Sequence, residues 1–247
     1  HRCLKLVDEK KNVGKIIRCP YHAWSYNLKG QLKAAPHIGG TNQHKPAGFN
    51  FSEHGLKPIR IHIWHDWIFL NFNGKAKKFE EYAKPLIKRF NDIDLTKLKY
   101  VATLDFGKIN TNWKFLIENF IEPYHVQFVH KTTTNQPLKD HYTFVDGKCY
   151  GSGIDVEKED AKNGSALSVT SRYLSLFPNF IIGTYFPNQV GVYLNIPISP
   201  GVTSQKRIIY TTDSKEMTKK EIQTTKDIWW SVHKEDHEIC ERLQEGR

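Results

Sequence analysis

The segment Glu122-Pro-Tyr-His-Val-Gln-Phe-Val-His130 constrains the fold more than any other stretch of the chain. Glu122 and His125 are three residues apart and would share one side of a helical turn. His125 and His130 are five apart, which on a straight helix leaves them ~140° out of register at ~100° per residue. The two rings can converge only where the helix is broken, bulged or wound as π. Pro123 supplies the break, because it lacks an N–H and disfavours helical backbone at Glu122. A helix ending near Ile121 or Glu122, then a short second turn carrying both histidines, is expected.

The rest of the chain reads as two regions. Residues 1–40 are loop-rich, with a short strand over Gly14–Arg18. Pro36, Gly39, Gly40, Pro46 and Gly48 make 35–55 a long irregular loop. Ile59, Ile61 and Ile63, then Trp67, Phe69 and Asn71, alternate with period two. That predicts strands across Leu56–Phe72, closed by an Asn73-Gly74 turn. Lysines cluster at Lys75–Lys78, where a domain boundary is expected. Beyond it lie a helix over Phe79–Asn91, interrupted or delayed by Pro85, a strand over Tyr100–Ile109 and a buried helix over Asn112–Phe120. Strands are predicted at Tyr142–Val145, Ala166–Ser171, Phe180–Phe186, Val190–Ile196 and Lys206–Thr212, in the pattern of an antiparallel sheet. Met217–Gln244 reads as a long helix with charged residues on one side.

Composition narrows the class. A chain of 247 residues makes one large domain or two smaller ones. It can bury roughly 70–75% of its unfolded surface without disulfide staples. The four cysteines are scattered, which points to a reducing, cytoplasmic setting. The longest apolar runs, such as Trp67–Leu70 and Phe180–Ile182, are far too short to span a bilayer, so no membrane role is expected. The absence of an initiator methionine reads as a fragment or processed product. The net charge of +10 suits a lysine-rich solvated surface, or docking of an acidic electron-donor protein. The dispersed lysines and lack of a binding motif argue against nucleic acid.

Two neutral imidazoles and one carboxylate hold ferrous iron while leaving a labile face for dioxygen. Glu122 is too close to His125 to be the default carboxylate. It suits instead the role of accepting that ring's free N–H and fixing its orientation. Asp236, in Lys234-Glu235-Asp236-His237-Glu238, is the candidate third ligand, presented by a C-terminal helix packed across the sheet. Asn119 is a candidate polar contact near the metal, with core packing or capping as its other roles. Spacing alone also admits two incidental histidines on a half-buried helix. It admits a three-histidine zinc hydrolase too, although no H-E-x-x-H motif is present. Upstream, His1, Cys19 and His22 fit all but the first cysteine of C-x-H…C-x-x-H, the pattern that holds a Rieske [2Fe–2S] cluster. A zinc knuckle or an unrelated Cys/His pair is the alternative for that segment alone. Phe115, Phe120, Tyr142, Tyr185, Phe186 and Tyr193 are candidate pocket walls or sheet core.

Taken together, the two clusters resemble those of the catalytic α-subunit of Rieske non-haem iron oxygenases, the ring-hydroxylating family that includes quaternary-amine monooxygenases. The matching residues are His1-Arg2, Cys19-Pro-Tyr-His22-Ala-Trp-Ser-Tyr26, Asn112-Trp113-Lys114, Glu118-Asn119-Phe120, Glu122-x-x-His125-x-x-x-x-His130 and Glu235-Asp236. The resemblance implies an α+β chain: a partial Rieske β-domain over 1–75, then a helix-grip catalytic domain over 76–247. A helix grip is a curved antiparallel sheet around a long helix. It also implies that His1, Cys19 and His22 ligate the cluster, and that His125, His130 and Asp236 ligate mononuclear Fe(II). Glu122 would bridge His125 to His22 of a neighbouring subunit in a homotrimer. Electrons would come ultimately from NAD(P)H through a separate reductase or ferredoxin, with or without a β-subunit. The expected outcome is hydroxylation or oxidative demethylation of a small aromatic compound or quaternary amine with O2.

Three departures stand out. The first cluster cysteine would precede His1 and is not in this chain. Cys3 falls on the wrong side of His1 to replace it and reads as a packed thiol. The bridging position holds glutamate where aspartate is common in ring dioxygenases, and the chain ends soon after Asp236, so a final family segment is expected to be missing. Rival readings are a non-enzymatic helix-grip carrier of a hydrophobic ligand and a simple electron-transfer Rieske protein.

Overall fold

The computed structural model describes residues 2–134, 141–155, 170–185 and 187–247. The chain separates into two compact units, His1–Ala76 and Lys77–Arg247.

The first unit is assembled from short pieces. Strands β1 (Ile16–Arg18), β2 (Ser25–Asn27) and β3 (Leu32–Ala34) form an antiparallel sheet in that order. Of these, only β1 overlaps a sequence-predicted strand; β2 and β3 are too short to show a period. Asn27 makes the β2–β3 turn, its side-chain oxygen accepting from the Lys29 and Gln31 N–H groups. Gly30 sits in that turn at φ +78°, which favours glycine. Tyr26, Leu32 and Ala35 are the core, packed by Trp24, Phe49, Phe51 and Leu56. The second element is a hairpin of β4 (Arg60–Trp64) and β5 (Trp67–Asn71), as the alternation predicts. Ile61 faces Leu70 and Ile63 faces Ile68 across it, and all four are exposed. Cys3 is exposed rather than packed, correcting the expectation for that thiol.

The second unit opens with one-turn helices α1 (Phe79–Tyr82) and α2 (Lys84–Lys88), with Pro85 in the first turn of α2, where its missing N–H costs nothing. A seven-stranded antiparallel sheet follows. Its strands are β6 (Lys99–Ile109), β7 (His141–Asp146), β8 (Cys149–Asp155), β9 (Thr170–Leu176), β10 (Phe180–Tyr185), β11 (Gln189–Ser199) and β12 (Val202–Thr211). Their order is β6-β12-β11-β10-β9-β8-β7, a meander with the first strand added beside the last. Of the predicted Ala166–Ser171, β9 contains Thr170 and Ser171, and the first four positions lie outside the described residues.

Helix α3 (Trp113–Ile121) starts at Asn112, whose side chain caps the Lys114 N–H. α4 (Val126–Val129) is a single turn. α5 (Lys219–Glu245) starts with a capping box between Thr218 and Glu221. On α5, Trp229, Val232, His233, Asp236 and Cys240 recur at helical spacing and turn inward. Trp229 and Val232 pack with Leu104, Tyr185 and Ile209 of the sheet, so the long helix lies against its inner face. Thr111 Oγ1 donates to the Cys240 carbonyl, and the Asn112 N–H to Gln244, fastening the start of α3 to the end of α5. Among the described residues no helix is long and apolar enough to cross a membrane.

Candidate metal centre

The break between α3 and α4 has the form expected from the sequence. Glu122 closes α3 in extended backbone (φ −102°, ψ 134°), the conformation proline imposes on its predecessor. His125 and His130 then bracket the single turn of α4. The Glu122 carboxylate accepts from the backbone N–H of Tyr124 at 2.7 Å and of His125 at 3.3 Å, replacing bonds the interrupted helix cannot supply.

This geometry gathers His125, His130 and Asp236, whose potential ligand atoms all lie within 4.8 Å of one another. Asp236 Oδ1 is 3.5 Å from His125 Nε2 and 3.0 Å from His130 Nε2. Asn119 Nδ2 donates to the same oxygen at 2.8 Å, so this residue touches the carboxylate rather than capping a helix. The outer ring nitrogens are each held by a glutamate: His125 Nδ1 lies 2.5 Å from Glu122 Oε1, and His130 Nδ1 lies 2.7 Å from Glu235 Oε2. Thr133 Oγ1 donates to Glu235 at 2.6 Å. A carboxylate only accepts, so each Nδ1 carries a hydrogen and each Nε2 faces Asp236.

Burial alone would lower the His125 pKa, but its hydrogen bonds with Asp236 and Glu122 outweigh that and raise it to about 9. His130 is also raised: Asp236 and Glu235 overcome the effect of burial. Burial would raise Asp236, yet the two imidazoles hold it well below the carboxylate range. Glu122 follows the same logic, its burial offset by His125. Both shifts favour the charged imidazole, whose inner N–H would face Asp236. A divalent cation fits the same place, since metal binding exchanges with ligand protons. Two imidazoles, one carboxylate and outer carboxylates that fix the rings match the donor chemistry of a mononuclear ferrous site.

Beside the trio lies a cleft with about 560 Å³ of empty space, part of it open to solvent. Phe120, Tyr185 and Tyr193 line it, whereas Phe115 and Tyr142 do not, correcting those two candidate walls. Phe186 lies outside the described residues. Sequence reasoning did not identify Tyr173, Trp229 or the partner role of Glu235. The signal for Glu235 was its place directly before Asp236; Trp229 is two helical turns before it on the same face of α5.

In the first unit, Cys19 is buried and His22 exposed. Both sit on one tight loop, closed by backbone bonds between Cys19 and Trp24 (2.8 Å) and between Ala23 and Cys19 (3.0 Å). A buried thiol three residues before an exposed imidazole suits one half of a [2Fe–2S] site. His1 lies outside the described residues.

The comparisons agree with both halves. Residues 79–247 match the model of the ring hydroxylating alpha subunit (catalytic domain), and residues 1–45 match that of the Rieske [2Fe-2S] domain. The large oxygenase component of salicylate 5-hydroxylase from Ralstonia sp. is 32% identical over 53% of this chain and 32% of its own length. Chloroplastic choline monooxygenase of Arabidopsis thaliana is 25% identical over 92% of this chain and 56% of its own length. Terephthalate 1,2-dioxygenase of Comamonas sp., terminal oxygenase component subunit alpha 2, is 26% identical over 89% and 62%. The chain thus spans about half the length of these curated relatives. Among solved structures, the quaternary ammonium Rieske monooxygenase CntA with L-carnitine superposes with a TM-score of 0.75. It is 21% identical, and the match covers all of this chain and 65% of that one. Naphthalene 1,2-dioxygenase with indole gives 0.68 at 18% identity, covering 100% and 65%. These likenesses establish the α+β fold, and the two domain models imply a Rieske cluster and a mononuclear iron as the cofactors. With the catalytic-domain model matching more than half of the chain, this chain belongs to the Rieske non-haem iron oxygenase family.

Proposed function

We propose that the chain is the core of an oxygenase subunit that uses dioxygen and electrons from a separate reductase or ferredoxin to hydroxylate or oxidatively demethylate a small organic substrate. The observation that carries this reading is the convergence of His125, His130 and Asp236 on one point at the edge of an aromatic cleft. A non-enzymatic ligand carrier has no use for that arrangement. In this reading 1–75 is the cluster domain, with His1, Cys19 and His22 as ligands, and 76–247 is the catalytic domain. The bound iron supplies dioxygen activation, and the cluster supplies single electrons.

The protein's own groups do the rest. His125 and His130 offer Nε2 because Glu122 and Glu235 hold their outer N–H groups. Asn119 steadies the Asp236 oxygen between them. The aromatic walls would exclude water from the substrate and position it beside the His125, His130 and Asp236 side chains. Glu122 keeps a 42% exposed side chain while bonded to His125. That suits a hydrogen-bonded bridge to the partner subunit's His22 in a homotrimer. Inter-subunit electron transfer is described for CntA. The relatives act on salicylate, choline and terephthalate, so an aromatic acid or a quaternary amine is the substrate to test first. The experiment is oxygen uptake by the full-length protein with reductant, against a panel of both classes. Product-coupled uptake that His125→Ala abolishes, with the cluster spectrum intact, is the expected result. A variant that keeps full turnover overturns the reading.

A further inference from the structure

The inner face of the sheet holds a charge that the metal centre does not use. Arg207, on β12, is 0% exposed. It stands opposite Tyr193 of β11 and Leu104 of β6, in phase with the buried Ile209. Burying a guanidinium is unfavourable unless it is paired. Among the described residues no carboxylate lies within ion-pair range of it, and two of its nitrogens, Nε and Nη2, have no hydrogen-bond partner. The fold nevertheless makes room for it. A Cβ on Gly191 would stand 2.7 Å from Arg207 Nη2, and the Trp229 ring lies 3.4 Å from the guanidinium carbon.

The remaining nitrogen, Nη1, contacts the Tyr193 hydroxyl. It also lies 3.4 Å from the Tyr185 hydroxyl and 3.4 Å from His233 Nε2. A guanidinium donates and never accepts. His233 Nε2 therefore bears a lone pair, and its Nδ1 carries the hydrogen, 4.0 Å from Asp236 Oδ2. The Tyr193 oxygen likewise accepts, so its own hydrogen points elsewhere. The two phenol oxygens are 3.4 Å apart, and one can donate to the other. One hydroxyl hydrogen is left over, on a pair of phenols that line the cleft. Burial pushes Tyr193 well above the usual phenol range against the opposing pull of Arg207, so its hydroxyl keeps its hydrogen. The carboxylates nearby are engaged: Asp236 with His125, His130 and Asn119, and Glu122 with His125 and two backbone N–H groups.

We propose that the cleft selects substrates bearing a carboxylate, which accepts the spare phenolic hydrogen of the Tyr185–Tyr193 pair while Arg207 behind them balances its charge. This rests on the oxygenase reading for taking the cleft as the substrate site, and it names the substrate class. The flat walls of Phe120, Tyr173 and Trp229 suit an unsaturated ring behind that carboxylate. Arg207 is a positioning residue here, acting through the phenols.

The test is calorimetric titration of the full-length protein with benzoate, benzamide and benzyltrimethylammonium, without turnover. Benzoate should bind about tenfold or more tighter than benzamide, the scale of a hydrogen bond to a charged group. Benzyltrimethylammonium should bind weakest. Arg207→Met should erase the benzoate-over-benzamide preference and Arg207→Lys should restore part of it. Tyr193→Phe, which keeps the ring, should reduce the preference and decides the matter if Arg207→Met does not fold. An unchanged preference in a folded Arg207→Met or, failing that, in Tyr193→Phe overturns the proposal. So does tighter binding of the trimethylammonium probe by the unaltered protein. Benzoate selectivity without oxygen uptake on any substrate sinks the oxygenase reading and leaves this one; uptake coupled only to cationic substrates does the reverse.

Discussion

The two units solve the burial problem differently. Residues 77–247 close a seven-stranded sheet over a helix that supplies Trp229 and Val232 to the core. Residues 1–76 make a buried core of Tyr26, Leu32 and Ala35 and leave the Ile61, Ile63, Ile68 and Leu70 face of their hairpin exposed. A large sheet can afford polar groups inside, such as Arg207 and Gln205, because surrounding apolar burial offsets their cost. The smaller unit carries its proposed cluster ligands, Cys19 and His22, on a loop closed by backbone bonds. The lesson is that function in the larger unit is tied to its packing, whereas in the smaller one it is tied to local backbone.

The strongest way to break that contrast is Asp236→Ala. It should remove mononuclear iron and reduce turnover by about a hundredfold or more while leaving the cluster spectrum unchanged. Metal analysis and visible absorption on the same sample check it; loss of both centres would mean the units are not separable. Next, Ile209→Ala should cost about 2–5 kcal/mol in the larger unit, read as a lowered denaturation midpoint with hydrogen exchange in the first unit unaltered. Glu235→Gln swaps the partner of His130 and should weaken iron about ten- to a hundredfold without unfolding the protein, by metal competition. Asn112→Ala removes a helix cap and should cost about 1 kcal/mol. Smallest of all, Ile63→Thr on the exposed hairpin face should shift stability by less than about 0.5 kcal/mol. A core-sized loss there would show that the face is covered in the full-length protein.

The convergence of His125 and His130 was legible because its constraint is local and severe: five-residue spacing after a proline can be met in few ways. The long helix and strands β10 to β12 were legible from their periods. β8 was not. Its Gly151 and Gly153 argue against a strand, yet they are what the sheet needs, because a Cβ at Gly151 would run into the Tyr173 carbonyl and one at Gly153 would meet the Tyr142 ring. Arg207 was hidden for a different reason. Alternation with Ile209 places it inward, but an arginine in a strand ordinarily marks the solvent face, and its aromatic partners Tyr185, Tyr193 and Trp229 come from three other elements.

The single turn of α4 has a thermodynamic corollary. Four residues cannot hold a helix by themselves, and the imidazoles on either side reach across to an acid roughly a hundred positions later. An ion seated among them is therefore a removable cross-link, tethering two distant stretches and cutting the conformational freedom of everything strung between. Occupancy becomes a fastening for the architecture as well as an equipment for chemistry, and chelation should soften this half of the molecule before it unfolds.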